Sequence, residues 1–119
     1  LGGVGEVLRV AGEIGRFGVP ITVSSALESA VGMGAGLRAV AALPSLSDDD
    51  GMHVRPNAAG LATGSLFAVD VAERPIVDGR IAVGPVTPDA AVLDECAAPA
   101  DRRDWWHRRL GAALDVLGG

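Results

Sequence analysis

The chain has 119 residues, which is enough for one domain with a modest hydrophobic core. Its formal net charge of -5 argues against nucleic acid as a partner, because no basic stripe is present to neutralise phosphates. Glycine, arginine or proline interrupts every long apolar stretch before it reaches the length of a membrane span, so we expect no membrane partner.

The first residues of the sequence and its cysteine content each carry an expectation. The sequence begins with Leu1, and its first residues resemble a strand-to-helix turn, so we expect a fragment of a longer protein. Cys96 is the only cysteine, which excludes an internal disulfide and fits a reducing, cytoplasmic location. We expect Cys96 to be a small buried apolar residue.

The first half of the chain alternates predicted helices and strands. Apolar residues recur at helical spacing over residues 4–14, and Gly15 and Gly18 end this first helix. Residues 19–24 are β-branched and apolar, which predicts a short strand covered on both faces. A second helix follows Glu28 and ends at Pro44.

The alternation continues beyond an acidic stretch. Residues 45–56 are polar and predict an exposed loop, residues 57–61 a further short strand, and residues 64–71 a short helix. This order, with connections too long for hairpins, favours parallel strands and an α/β fold.

The character of the sequence changes after residue 74. Two short apolar runs within residues 75–83 flank Asp78-Gly79, a strong hairpin signal. Thr87 is predicted to cap a helix with Pro88 at its first position, and Pro99 breaks that helix. A last helix follows, with one apolar side formed by Trp106, Leu110, Ala113, Leu114 and Leu117.

Several patterns that resemble functional motifs have simpler explanations. The glycines of residues 32–36 fall inside the second predicted helix, so close packing of that helix on a sheet is favoured over a dinucleotide loop. The acidic run 48–50 beside His53 is interpreted as a hydrated loop rather than a metal site. His107, among the arginines of the last helix, is expected at a solvated surface. We therefore predict no metal ligand and no catalytic residue in this chain.

The candidate site lies where the two predicted parallel strands end. Ser24 and Ser25 follow the first strand, and Gly60 holds the equivalent place on the next. Hydroxyls and backbone N–H groups near a helix N-terminus can bind a carboxylate, so we predict substrate binding by Ser24, Ser25 and Gly60. One serine is also expected to cap the second helix. Gly60 either lets a ligand approach the backbone or holds a φ that only glycine tolerates.

Three segments together resemble a known family: Ser24-Ser-Ala-Leu-Glu-Ser29, Gly60-Leu-Ala-Thr-Gly64, and the ending Ala98-Pro-Ala-Asp-Arg-Arg-Asp-Trp-Trp106. They are similar to the C-terminal part of the actinobacterial o-succinylbenzoate synthase family of the enolase superfamily. The resemblance implies that residues 1–71 are the last βα units of a TIM-type barrel. Residues 72–119 would form a hairpin and helices that return to the barrel and its capping domain.

The resemblance also implies a chemistry. This family consists of Mg²⁺-dependent lyases of menaquinone biosynthesis, which dehydrate 2-succinyl-6-hydroxy-2,4-cyclohexadiene-1-carboxylate to 2-succinylbenzoate. The catalytic lysines and the three carboxylates that hold Mg²⁺ would lie outside this fragment, which would be inactive alone. The chain's partners would then be a small carboxylate substrate and the rest of its own barrel and capping domain.

Two alternatives remain at this point. A related N-acylamino acid racemase or cycloisomerase would share the barrel and the metal, and would differ mainly in the pocket at these strand ends. A non-catalytic module would use its acidic, alanine-rich helices only for association.

Overall fold

The computed structural model describes residues 3–44 and 57–118, which form two compact units. The first unit ends at Asp89, and the second begins at Ala90. The predicted acidic loop 45–56, with its aspartates and His53, lies outside the described residues. The described chain combines four α-helices, one short 3₁₀ helix and a two-stranded sheet.

Two helices build the first unit as predicted. Helix α1 spans Val4–Gly15, and helix α2 spans Met33–Ala41 and packs against α1. On the exposed face of α1, the Arg9 guanidinium donates hydrogen bonds to the carboxylates of Glu6 and Glu13. The bond to Arg9 lowers the pKa of Glu6, and the same interactions raise the pKa of Arg9. This pair contributes to helix stability above the ordinary pKa of Glu6, and the contribution is lost as the pH falls through the lowered value.

The core of the first unit lies under α2. Met33, Leu37 and Leu61 are buried and form one cluster. Val23, Val40 and Ile81 pack against it partly buried. A Cβ atom placed on Gly36 would lie 2.9 Å from a Leu61 methyl group, so the backbone of α2 approaches this side chain closely. Gly36 therefore allows close packing of α2, but its neighbour is the Leu61 side chain rather than the predicted sheet, and Gly32 precedes the helix.

In place of the two predicted strands, 19–24 and 57–61, the structure has one pair of bridged residues. Ser24 and Gly60 form an isolated parallel bridge, so the parallel direction is confirmed. The prediction that residues 19–24 are covered on both faces is wrong, since Val19 is 48% exposed and only Val23 reaches the core cluster. A strand is covered on both faces only when neighbouring strands and helices flank it, and the described part of the chain supplies one such neighbour.

The segment after Gly60 folds into a shorter helix than predicted. A 3₁₀ helix spans Thr63–Leu66, and Phe67 is already extended, with φ -84° and ψ 138°. The predicted helix 64–71 is therefore wrong in type and length. The chain then bends at residues 68 and 69, and the Asp70 carboxylate accepts the Ala30 N–H group, with 2.8 Å between the oxygen and the nitrogen.

The hairpin of the first unit is confirmed. Strands β1 (Ile76–Val77) and β2 (Arg80–Ile81) pair in antiparallel register, with Ile76 opposite Ile81. Both turn residues have positive φ, 49° at Asp78 and 71° at Gly79, as a type I′ turn requires.

The second unit contains two helices, α3 (Ala90–Glu95) and α4 (Ala100–Gly118). Helix α3 starts at Ala90, two residues later than the predicted Pro88. The Asp89 N–H group, just before the helix, donates to the Val71 carbonyl oxygen at 2.8 Å. The predicted burial of Cys96 is also wrong: this residue follows α3 and is exposed. Surface positions for His107 and its neighbouring arginines are confirmed, since the whole of 101–110 is exposed. None of the described helices has an apolar stretch long enough to cross a membrane.

The packing of α2 on Leu61 is testable with matched valine substitutions. Gly36→Val should lower the free energy of unfolding by about 1–3 kcal/mol, since Leu61 is buried and has little room to move. Gly12→Val on α1 is the control, because a Cβ atom there meets no atom within 4 Å. The control should change stability by less than about 0.5 kcal/mol. Urea denaturation of the full-length gene product measures both variants, and equal effects would contradict the packing.

Candidate functional site

The predicted site residues meet around the carbonyl group of Gly60. The Ser25 N–H group donates to the Gly60 oxygen at 2.9 Å, and the Gly60 N–H group donates to the Val23 oxygen at 2.9 Å. These two bonds form the parallel bridge between Ser24 and Gly60. Residues 36 positions apart are thus joined at one place, as expected for the ends of two neighbouring parallel strands.

The Ser24 hydroxyl group is exposed and weakly held. It lies 3.4 Å from the Gly60 carbonyl oxygen and 3.3 Å from its neighbour's carbonyl oxygen, both beyond the usual O–H···O distance. A hydroxyl group can donate one hydrogen bond and accept others. Ser24 is therefore free to bind a ligand oxygen without breaking a strong internal bond.

The Ser25 hydroxyl group has a different role. It lies 2.8 Å from the Thr63 hydroxyl group, in a part-buried hydrogen bond, and 3.2 Å from the Gly60 carbonyl oxygen. Thr63 is the first residue of the 3₁₀ helix, so this bond joins Ser25 to the start of that helix. Ser25 therefore has a structural role, which is to hold the end of the 19–25 segment against the 3₁₀ helix. The sequence did not indicate Thr63 as a residue of the site.

The prediction that Ser24 or Ser25 caps α2 is wrong. The helix begins at Met33, several residues beyond the serines, and its N-cap is Gly32. Near the N-terminus of α2, the Ser29 hydroxyl oxygen accepts a hydrogen bond from the Gly32 N–H group at 3.3 Å. The loop between Ser25 and α2 is longer than the sequence pattern indicated.

Gly60 is required for close approach rather than for an unusual dihedral angle. Its φ is not among the positive values, so the explanation based on a φ restricted to glycine is wrong. A Cβ atom at this position would lie 2.9 Å from the Ser24 hydroxyl oxygen and 3.3 Å from the Ser24 Cβ. The Gly60 N–H group already donates to Val23, so the missing side chain serves the approach of Ser24, and substrate binding by Gly60 stays a prediction.

The loop that follows Ser25 is held in a strained conformation. Leu27 has φ 70°, in the left-handed region that leucine rarely adopts, and its side chain is 59% exposed. The Glu28 carboxylate accepts the Ala26 N–H group at 2.6 Å, which stabilises the turn locally. Asp70 and Arg74 hold the far end of this loop, and neither carried a sequence signal.

The described residues do not provide a metal site. Over residues 3–44 and 57–118, no group of three histidine, cysteine or acidic side chains is close enough to hold an ion. The acidic residues near the candidate site have other partners: Glu28 accepts from Ala26, and Asp70 accepts from Ala30. The donor set of this region therefore does not fit a resident Mg²⁺.

Comparison with known proteins finds close relatives for nearly the whole chain. The o-succinylbenzoate synthase of Mycolicibacterium smegmatis is 50% identical over 118 residues, that of Mycobacterium tuberculosis 48%, and that of Mycobacterium leprae 46%. Each alignment covers 98% of this chain and 32% or 33% of the relative. The chain thus spans about a third of the length of the curated relatives it matches. No protein-family model matches the chain.

The close approach at Gly60 is testable by adding one methyl group. Gly60→Ala should lower the free energy of unfolding by about 1–3 kcal/mol, because the new Cβ atom would displace Ser24. Ser24→Gly in the same protein should recover part of this loss, since it removes the atoms that collide. Gly84→Ala is the control, because a Cβ atom there meets nothing within 4 Å. A double variant no more stable than Gly60→Ala, by urea denaturation, would contradict this geometry.

Proposed function

Because the chain is homologous to o-succinylbenzoate synthase over 98% of its length, we propose that it is the C-terminal part of such an enzyme. The full-length protein would convert 2-succinyl-6-hydroxy-2,4-cyclohexadiene-1-carboxylate to 2-succinylbenzoate, a carbon–oxygen lyase reaction of menaquinone biosynthesis. The observation that carries the proposal is the identity of about 48% to relatives bearing this name.

In this proposal the chain completes the barrel. Residues 1–71 supply its last βα units, and residues 72–119 return to the barrel and the capping domain. The parallel bridge between Ser24 and Gly60 supports this arrangement, because parallel strands joined through helices are the repeating unit of such barrels. Substrate-binding groups of these barrels lie at the carboxyl ends of the strands, and the proposal assigns Ser24 and Gly60 to two such ends.

Each site residue has a distinct role in the proposal. The exposed Ser24 hydroxyl group donates a hydrogen bond to a carboxylate of the substrate. Ser25 binds Thr63 and so holds the strand end against the 3₁₀ helix. Gly60 lets Ser24 approach the second strand end and so positions the Ser24 hydroxyl group. Ser24 binds the substrate, Ser25 and Gly60 hold Ser24 in place, and none of the three transfers a proton.

The catalytic groups belong to the part of the enzyme outside this chain. The sequence contains no lysine, and its described acidic residues do not fit a metal site. In the proposed full-length enzyme, Mg²⁺ would stabilise the negative charge that develops on the substrate carboxylate when a base removes the α-proton. The chain contributes affinity and orientation, which lower the barrier by fixing the substrate relative to those groups.

The remaining parts of the proposal concern partners and location. The partners are the small carboxylate substrate and the rest of the same polypeptide, with no nucleic acid or membrane partner. The net charge of -5 supports the absence of nucleic acid binding. The single cysteine supports a cytoplasmic location, where thiols stay reduced. The names of the relatives favour the synthase over the racemase, cycloisomerase and association-module alternatives.

Removal of the Ser24 hydroxyl group tests the substrate-binding role. In the full-length enzyme, Ser24→Ala should weaken use of the dehydration substrate by roughly 1–3 kcal/mol, or about 5- to 150-fold in kcat/KM, because a substrate oxygen loses its donor. Ser65→Ala is the control, since the Ser65 hydroxyl group bonds only its own helix, at the Ala62 carbonyl oxygen. Steady-state kinetics measure both variants. Equal kcat/KM for wild type and Ser24→Ala would show that Ser24 does not bind the substrate.

Expression of the chain alone tests whether it is part of a larger barrel. The isolated chain should be inactive and should unfold without a cooperative transition, because few of its described residues are buried and the bridged segments pair only with each other in the described part of the chain. The large apolar side chains of Phe17 and Leu66, in the first unit, are exposed, which also indicates missing partners. Circular dichroism during heating measures the transition. A cooperative melt together with activity would contradict the proposal.

A further inference from the structure

Two side chains bind the backbone of one buried residue, Ala30. The Asp70 carboxylate accepts the Ala30 N–H group at 2.8 Å, and the Arg74 Nε donates to the Ala30 carbonyl oxygen at 2.5 Å. Ala30 is 3% exposed, so water does not compete strongly for these bonds. Hydrogen bonds to charged groups are stronger than neutral ones, which makes this a firm attachment. Forty residues of sequence separate Ala30 from Asp70.

The Arg74 guanidinium extends the attachment to the hairpin. Its Nη1 donates to the Ala82 carbonyl oxygen at 3.1 Å, and its Nη2 donates to the Gly84 carbonyl oxygen at 2.8 Å. A Cβ atom on Gly34 would lie 3.0 Å from Nη2, so the absence of a side chain on α2 makes room for the guanidinium. The planar, three-way donor geometry is specific to arginine, since a lysine ammonium cannot reproduce it.

The attachment fixes one end of the loop that begins at the candidate site. Ser25 is bonded to Gly60 and Thr63 at the first end, and Ala30 is bonded to Asp70 and Arg74 at the other. Leu27, between them, keeps a left-handed φ that costs of order 1–3 kcal/mol and persists only where the surroundings impose it. Release of Ala30 would let this loop relax and move the backbone next to Ser24.

We infer that Asp70 and Arg74 are positioning residues, which set the substrate affinity of the Ser24 site by holding the loop 25–30 through Ala30. The inference rests on the proposed function, because it assumes that Ser24 binds the substrate. Neither residue touches the substrate in this arrangement. Both act through hydrogen bonds to the main chain, so their effect is on geometry rather than on charge at the reacting atoms.

Paired substitutions at Asp70 separate the hydrogen bond from the charge. In the full-length enzyme, Asp70→Ala should raise KM roughly 10- to 100-fold with a smaller change in kcat, because the loop beside Ser24 shifts. Asp70→Asn should restore KM to within about threefold of wild type, since its amide oxygen still accepts the Ala30 N–H group. The other carboxylate oxygen, Oδ1, has no hydrogen-bond partner in the described part of the chain, so the amide breaks no second bond.

A variant of matched stability distinguishes positioning from general destabilisation. Ala11→Gly removes a buried methyl group from α1 and weakens that helix without changing the bridge, the loop 25–30, Asp70 or Arg74, so it should leave KM within about twofold of wild type after correction for folded protein. Arg74→Lys keeps the charge but not the three-way geometry, and should raise KM in the same direction as Asp70→Ala.

Two results would overturn the inference. Equal KM changes in Asp70→Ala and Ala11→Gly would show only lost stability, and unchanged KM in folded Asp70→Ala and Arg74→Lys would show that the loop does not govern affinity. The proposed function fails separately: in that case Ser24→Ala also leaves the kinetics unchanged, or the wild-type enzyme does not dehydrate the substrate.

Discussion

The bridge between Ser24 and Gly60 is the contact on which the first unit depends. It joins two segments 36 residues apart, and it requires a glycine because any side chain at residue 60 would collide with Ser24. Once the bridge is made, Ser25 comes within hydrogen-bond distance of Thr63, and Val23 and Leu61 reach the same core cluster under α2. The site and the core are therefore two consequences of one backbone pairing, and a change that weakens the pairing affects both.

Local signals in the sequence were sufficient for the helices and the hairpin. Helical spacing of apolar residues predicted α1, α2 and α4, and Asp78-Gly79 predicted the β1–β2 turn, because each pattern acts within a few residues. Burial of residues 19–24 could not be predicted in the same way. It depends on which elements flank the segment, and the described chain supplies a single bridge there. The bond from the Asp89 N–H group to Val71 could not be predicted either, because its partner lies well away in the sequence.

The candidate site was predicted in position but not in its internal arrangement. Because parallel strands end at the same edge of a sheet, the sequence predicted that Ser24, Ser25 and Gly60 lie close together. The structure places them in contact. It did not distinguish the exposed Ser24 from the anchored Ser25, because that difference comes from Thr63. Asp70 and Arg74 were missed entirely. A side chain that binds a distant backbone group leaves no periodicity or motif, since the partner can be any residue, here an alanine.

The strained Leu27 connects these observations. An exposed leucine with positive φ is unfavourable in an unconstrained loop, which would relax to remove the strain. Here the loop is bonded at Ser25 on one side and at Ala30 on the other, so relaxation would require breaking hydrogen bonds at one of these ends. The strain is thus offset by bonds whose donors and acceptors lie on the segments 60–63 and 70–74. A substitution in either segment should therefore change the backbone next to Ser24.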